Sequence, residues 1–204
     1  MENLKIISLF EIKESKIYLG KIVEKLMQMD YENIENLRKD DEGTFEQWCP
    51  IFLKNPETWR IMVNTKNEII GYWHFVPLKL ETYEKIKTGK IHEIELNEKD
   101  IIELVKKGNY KIYFRSLVLR KEYRKSKATE KLIVSFFNVL KELEEKGIII
   151  DEMCANAYTP QGKKWCEKLG MEYIGEISPN GSLYFLKLEN FNKTEFLKGI
   201  KKFF

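Results

Sequence analysis

Six basic residues lie close together between residues 120 and 131, where only two acidic residues oppose them; they are Arg120, Lys121, Arg124, Lys125, Lys127 and Lys131. This run separates an apolar stretch that predicts a strand from an amphipathic stretch that predicts a helix. The first backbone N–H groups of a helix can bind pyrophosphate, because they point out of the helix with the positive end of its dipole. A strand, loop and helix in this order can bind pyrophosphate through the backbone amides of Lys125, Ser126, Lys127, Ala128 and Thr129.

Two strands and the helix between them would position this loop. The first strand is predicted over residues 110–119 and the second over residues 148–157. Between them an apolar helical face is formed by Leu132, Ile133, Phe136, Phe137, Leu140 and Leu143, and Gly147 ends the helix. A strand–helix–strand unit of this kind predicts a right-handed crossover with the two strands parallel. A further helix is expected to begin near Pro160.

The other elements complete one domain over residues 1–204. We expect strands at 4–12, 59–63, 69–76, 91–96, 171–176 and 182–188, and helices at 15–28, 45–53, 98–106 and 193–204. The simplest arrangement is an α/β (α+β) fold whose mixed, mostly antiparallel central sheet has helices on both faces.

Two motifs in this order resemble the coenzyme A-binding half of the GNAT N-acetyltransferase superfamily. The run from Tyr123 to Thr129 aligns with the family signature Gln/Arg-x-x-Gly-x-Gly/Ala, and Arg124 matches its first position. Lys127 and Thr129 replace the two small residues. A lysine forced into the left-handed conformation would cost roughly 1–2 kcal/mol. The later run Glu167-Lys168-Leu169-Gly170-Met171 resembles the end of the family's next helix.

The resemblance implies an enzyme that transfers an acetyl group from acetyl-CoA, its co-substrate, to a primary amine by direct attack. The loop from Arg124 to Thr129 would hold the pyrophosphate. The backbone of Leu117 and Leu119 would bind the pantetheine arm as an added strand would. Residues 78–110 would be an insertion between the third and fourth strands that selects a small-molecule or peptide amine.

The resemblance also implies an acid and a base. Cys166 stands where the family commonly has a tyrosine that protonates the departing thiolate, and Tyr158 is a second candidate acid. A base is needed because the attacking amine must be neutral. Glu93 is our candidate, with His92 and Glu95 beside it. Each of these residues also has an ordinary interpretation, since Cys166 suits a core position and residues 91–96 suit an exposed strip.

Three alternatives remain open at the level of sequence. Without its glycines, the loop could be a solvated basic turn. The protein could be a GNAT-fold binding or sensor module without catalysis, because the usual tyrosine is also missing. It could instead use longer acyl donors, with residues 78–110 widening the pocket.

Composition excludes several other classes. The 204 residues are 43% hydrophobic and 33% charged, as in a folded protein rather than a disordered one. A net charge of +3 argues against nucleic acid as a partner, and no apolar run reaches the ~20 residues that span a bilayer, so no membrane partner is expected. Two histidines make a metal site improbable. Three scattered cysteines and the lack of a signal peptide favour the cytoplasm. A homodimer and a monomer both stay open.

Overall fold

A seven-stranded mixed sheet organises the computed structural model, which describes residues 4–8, 11–12, 19–35, 37, 39–124, 126–177 and 181–190. The strands run in the spatial order β1-β2-β3-β4-β5-β7-β6. Their ranges are β1 Lys5–Ile7, β2 Trp59–Val63, β3 Ile69–Leu78, β4 Gly108–Leu119, β5 Ile148–Ala157, β6 Glu172–Glu176 and β7 Ser182–Lys187. Neighbours pair antiparallel except β4 and β5, which are parallel, as the crossover predicts.

Helices cover both faces of this sheet. They are α1 Leu19–Asn33, α2 Lys39–Glu42, α3 Phe45–Lys54, α4 Leu80–Lys87, α5 Lys127–Glu145 and α6 Pro160–Lys168. The cluster on one face joins α5 and α6 to the sheet through residues such as Trp73, Phe136 and Cys166. The other cluster joins α1, α3 and α4 to the sheet through Leu26 and Phe52, among others. The predicted fold class is therefore confirmed.

The long helix α5 forms for the reasons visible in its sequence. Ser126 caps it, because its hydroxyl accepts the N–H of Ala128 at 3.1 Å. The predicted apolar face is buried except for Leu140, which is only partly buried against the same cluster. Gly147 follows with φ +79°, a left-handed conformation that glycine adopts without strain. The chain then enters β5 directly.

The segment between β3 and β4 differs from expectation. Instead of a strand at 91–96 and a helix at 98–106, it contains two short 3₁₀ turns, Glu93–Glu95 and Glu98–Asp100. Two of its backbone carbonyls accept hydrogen bonds from side chains of α3 and of the residue after α3. Lys54 Nζ donates to Glu98 O and Asn55 Nδ2 donates to Ile102 O, both at 2.9 Å. Side chains distant in sequence thus replace regular secondary structure here.

Other expected boundaries shift. The strand expected at 4–12 is only β1, and Glu11 and Ile12 are helical. The start of the helix expected at 15–28 and the tail helix at 193–204 lie outside the described residues.

Among the described helices, none is long and apolar enough to cross a membrane. Within the same ranges, no group of three His, Cys, Asp or Glu side chains could hold a metal ion.

Candidate active site

The two central strands part halfway along β4. Their parallel pairing runs from Gly108 opposite Ile148 to Phe114 opposite Ala155 and stops there. Beyond this point β4 pairs only with β3, and the end of β5 pairs with β7. A bulge lies at the same place, because Arg115 is the extra residue between two β4 residues that pair with consecutive residues of β3. A gap therefore opens between β4 and β5 from Arg115 onward.

The edge of β4 that borders this gap carries backbone groups without a strand partner. Arg120 N–H donates to Ile70 O on β3 at 2.9 Å. Alternate residues of an antiparallel strand direct their backbone groups to opposite sides. The N–H and C=O groups of Leu117 and Leu119 therefore face away from β3, into the gap, where Leu119 O already accepts a hydrogen bond from Arg124 Nε. An extended ligand can bind there as an additional strand.

The loop after β4 reaches the start of α5 without a left-handed residue among those described. Arg124 has φ −68° and Ser126 has φ −133°, and Lys127 is already the first residue of the helix. The replacement of the family glycine by Lys127 therefore carries no conformational penalty, contrary to the strain we considered from the sequence. Lys127 is exposed. Lys125 lies outside the described residues.

Arg124 holds this loop in place. Its Nε donates to Leu119 O at 3.0 Å, and its Nη2 donates to Asn33 O at 2.6 Å. The guanidinium thus joins the end of β4 to the end of α1. Ser126 Oγ adds a bond to Tyr123 O at 2.6 Å. These three bonds fix the position of the first turn of α5. In that turn the N–H groups of Ala128 and Thr129 donate to Ser126 Oγ and Ser126 O.

A buried carboxyl group lies at the mouth of the gap, on the face covered by α1 and α3. Glu93 Oε2 accepts the hydroxyl of Tyr113 at 2.8 Å, and Oε1 accepts the hydroxyl of Tyr158 at 3.3 Å. Burial raises the pKa of Glu93 to about 7, although the charge of Arg115 and the two phenol hydrogen bonds act in the opposite direction. Glu93 can therefore take up and release a proton near neutral pH.

Tyr158 follows β5 directly. Burial raises the pKa of its phenol, and the neighbouring Glu93 carboxylate raises it further. The hydroxyl therefore keeps its proton at neutral pH and acts as a donor.

An ion cluster lies beside Glu93. The Arg115 guanidinium donates to Asp30 Oδ2 at 3.1 Å and to the carboxylate of Glu42, and it stacks 4.2 Å from the ring centre of Trp48. Tyr72 donates its hydroxyl to Asp30 Oδ1 at 2.6 Å. Burial raises the pKa of Asp30 and brings that of Glu42 to about 9. One guanidinium faces two carboxyl groups in a dry interior, so we expect one of them to hold a proton at neutral pH.

No protein-family model matches the sequence, and no curated protein matches it. Solved structures do match. Arabidopsis thaliana Naa50, in complex with the bisubstrate analogue CoA-Ac-MVNAL, aligns over 90% of this chain and 98% of its own, with TM-score 0.54 and 11% identity. A GNAT-family acetyltransferase from Staphylococcus aureus Mu50 aligns over 91% and 99%, with TM-score 0.53 and 14% identity. The chain has the GNAT fold.

A third structure, PaiA N-acetyltransferase from Thermoplasma acidophilum in complex with coenzyme A, aligns over 91% of this chain and 99% of its own. Its TM-score is 0.53 and its identity is 12%. At these identities the likeness establishes the fold. The GNAT fold predicted from the segment around α5 is thereby confirmed.

Within this GNAT fold, the candidate acids lie on opposite faces of the sheet. Tyr158 contacts Glu93, whereas Cys166 lies buried in the cluster formed with α5. Burial raises the pKa of the Cys166 thiol to about 12. The structure thus brings together Glu93 and Tyr158, two of the three catalytic candidates from the sequence, and leaves Cys166 apart from them.

The other ionisable candidates near Glu93 have different surroundings. His92 and Glu95 are exposed, and the backbone N–H of His92 donates to Glu95 Oε2 at 2.7 Å. His74 is fully buried and stacks on Phe52 with 3.9 Å between ring centres. Burial holds the pKa of His74 well below its usual value, so its ring is neutral. Among His92, Glu93 and Glu95, Glu93 is the one turned into the interior.

The ion cluster is not among the sites predicted from the sequence. Arg115 stands alone among apolar residues of a strand, and Asp30 and Glu42 lie in polar stretches that look like solvated surface. A lone arginine within a buried strand is a signal that it needs carboxylate partners, since an unpaired charge is rarely buried. Nothing in the sequence identifies which carboxylates these are.

Proposed function

We propose that the protein is an N-acyltransferase that moves an acetyl group from acetyl-CoA to a primary amine by direct attack. The observation that carries this proposal is the Glu93–Tyr158 pair at the mouth of the gap between β4 and β5. Support also comes from structures of the same fold that contain coenzyme A or an analogue of it. The acetyl donor and the amine acceptor are both part of the proposal.

In this proposal acetyl-CoA enters the gap with its pantetheine arm along Leu117 and Leu119. Its pyrophosphate meets the start of α5, from Ser126 to Thr129, where the helix dipole favours an anion. The amides of Ala128 and Thr129 would exchange their bonds to Ser126 Oγ and Ser126 O for bonds to phosphate oxygens. Lys125 and Lys127 add positive charge. The thioester then reaches toward the bulge at Arg115, close to Glu93.

The proton transfers balance between Glu93 and Tyr158. Glu93 accepts a proton from the amine as nitrogen attacks the carbonyl carbon, a C–N bond forms and the C–S bond breaks. Tyr158 gives its proton to the departing thiolate. The protonated Glu93 then returns a proton to Tyr158 through their hydrogen bond, so that both residues regain their starting states.

The segment between β3 and β4 supplies Glu93, and we propose that it forms a wall of the acceptor site. We also propose a cytoplasmic location, since Cys49, Cys154 and Cys166 are all free thiols. Whether the acceptor is a small molecule or a peptide is decided by the screen below.

The two candidate acids give opposite expectations on substitution. Tyr158→Phe removes the phenol proton and should lower kcat by about 10²-fold, the usual contribution of general acid–base groups, with acetyl-CoA affinity unchanged. Cys166→Ala should keep kcat and lose some stability, because it removes a buried side chain. The rate of thiol release measures kcat, and calorimetry measures the affinity for acetyl-CoA. A fall in kcat for Cys166→Ala alone would instead identify the thiol as the acid.

Lys127→Glu tests the pyrophosphate site. Reversing the charge at the first residue of α5 should weaken acetyl-CoA binding at least about tenfold, or about 1.4 kcal/mol. Lys141→Glu makes the same charge change further along the helix, at a side chain that is 68% exposed, and should leave the affinity unchanged. Equal affinities for Lys127→Glu and the wild type would remove the loop from the binding site.

A screen of primary amines tests the reaction itself. Purified protein and acetyl-CoA are mixed with each small amine or each peptide that has a free amino group, free thiol is detected, and product mass is checked for one added acetyl group. We expect at least one amine to release thiol in a Glu93-dependent manner. Binding of acetyl-CoA without thiol release from any amine would favour the non-catalytic module. Release only with longer acyl donors would favour the wider pocket.

A further inference from the structure

The side chain of Gln47 in α3 is bonded to the turn that carries Glu93. Its Nε2 donates to Glu93 O at 2.8 Å and to Leu96 O at 2.9 Å, across 46 and 49 residues of sequence. Its Oε1 accepts the N–H of Thr44 at 3.4 Å as part of the capping box of α3. Both amide hydrogens and the amide oxygen are thus engaged, which fixes the orientation of the amide.

The close approach of Gln47 depends on Gly43. This glycine has φ +79°, and a Cβ there would lie 2.2 Å from Gln47 Oε1 and 2.8 Å from Trp48 Nε1. Real Cβ atoms essentially never approach another atom within 3.0 Å. Because Gly43 has no Cβ, the Gln47 amide can occupy this position.

The turn that Gln47 holds is short. Glu93–Glu95 is a single 3₁₀ turn closed by Leu96 N–H to Glu93 O at 3.1 Å. One turn of this kind has little stability of its own. Glu93 is nevertheless only 7% exposed, although Ile94 and Glu95 beside it are exposed. The contacts that keep the carboxyl inside must therefore include bonds from elsewhere in the fold.

We infer that Gln47 is a positioning residue, which holds the Glu93 carboxyl at the mouth of the gap by anchoring the backbone of its turn from the opposite side. Tyr113 and Tyr158 hold the carboxyl group itself, whereas Gln47 holds the peptide carbonyls at both ends of the turn. The role in catalysis rests on the proposed function, in which Glu93 is the base. The anchoring rests only on the contacts.

The protonation of Glu93 reports its position. Burial is the largest cause of its raised pKa, so a carboxyl group that reaches water should titrate at lower pH. The groups that influence this titration come from several elements, namely Asp30 of α1, Glu42 of α2, Tyr113 and Arg115 of β4, and Tyr158 after β5. Gln47 carries no charge, so its replacement changes the titration only through the position of Glu93.

Gln47→Met, which keeps the length and removes the amide, is the test variant. Lys54→Met is the matched control, because it removes another α3 side chain that donates to a carbonyl of the same segment, Glu98 O. The Glu93 carboxyl is followed by carbon-13 NMR over a pH series in full-length protein, and its signal is assigned with Glu93→Gln. The pH profile of kcat/KM is measured in parallel.

We expect Gln47→Met to lower the Glu93 titration midpoint by about one pH unit, with the acid limb of the kcat/KM profile moving the same way. Lys54→Met should leave the midpoint where it is in the wild type. An unchanged midpoint in Gln47→Met, or an equal shift in Lys54→Met, would overturn the role of Gln47. A wild type that transfers no acyl group would overturn the proposed function, while the NMR titration would still decide the anchoring.

Discussion

Glu93→Gln is expected to lower kcat/KM by about 10²- to 10³-fold and to leave acetyl-CoA affinity unchanged, because it removes the group that takes the proton from the amine. The amide has nearly the same shape: its oxygen can accept the hydroxyl of one phenol, and its NH2 group can donate to the oxygen of the other. The fall should therefore appear in the chemical step. Initial rates of thiol release and calorimetry with acetyl-CoA measure the two quantities.

The pH dependence of kcat/KM is a second test of Glu93 as the base. A base acts only when deprotonated, and the pKa of Glu93 is raised to about 7. In the wild type, kcat/KM should rise with pH up to about 7 and then level off. In Glu93→Gln this limb should disappear. Glu95→Gln, a change at the exposed end of the same turn, is the control and should keep the wild-type rate and profile. A wild-type rate in Glu93→Gln would exclude Glu93 as the base.

The same carboxyl group should affect stability in a predictable sense. The folded protein raises the pKa of Glu93 from 4.5 to about 7, so it binds the proton more tightly than the unfolded chain does. The resulting stabilisation is complete below about pH 4.5 and is lost as the pH rises through about 7. Glu93→Gln is neutral throughout, so its free energy of unfolding should fall less than that of the wild type across this window. Urea unfolding at several pH values measures the difference.

Arg115→Met is expected to destabilise the protein by about 3–5 kcal/mol at neutral pH, since it leaves Asp30 and Glu42 buried without their cation. Both carboxyl groups lie almost completely out of water, with side-chain exposures of 0% and 3%. The midpoint of urea unfolding should fall accordingly. The loss should be smaller at lower pH, because protonated carboxyl groups no longer need the guanidinium.

Two further variants separate the charge effect from lost packing. Adding Asp30→Asn and Glu42→Gln to Arg115→Met should recover part of the stability, because no unpaired charge then remains. Arg60→Met removes a partly buried cation that donates to Glu57 O and Trp59 O and contacts the exposed Glu142 at 3.9 Å, and it should cost less than Arg115→Met because it leaves no buried charge unpaired. A loss in Arg115→Met no larger than that in Arg60→Met would show that the cluster does not stabilise the fold.

The parts of the fold set by local pattern could be predicted from sequence. The apolar spacing of α5, its end at Gly147 and the apolar stretches of β4 and β5 lie in neighbouring residues, and they predict the crossover and, with the resemblance, the GNAT fold. The segment from residue 90 to 106 was predicted wrongly because its carbonyls bond to side chains of α3 and the residue after it, among them Lys54 and Asn55. Distant partners of this kind leave no periodic signal.

In the candidate site, the sequence likewise predicts single residues but not the contacts between them. Glu93 and Tyr158 were each named from the sequence, yet their contact joins residues 65 apart and could not be read from either neighbourhood. Arg115 was overlooked because its partners come from α1 and α2, both distant in sequence. Lys127 aligns with a loop glycine in the sequence motif, but in the structure it is the first residue of the helix and therefore needs no left-handed conformation.

Titration of acetyl-CoA into the purified protein by calorimetry, with free coenzyme A as the comparison, is the most direct test of the central claim. A site between parted strands, with helix amides and lysines for the pyrophosphate, should bind acetyl-CoA with micromolar affinity, and Lys127→Glu should weaken that binding. No binding of either compound at millimolar concentration would contradict the assignment of the gap as a coenzyme A site.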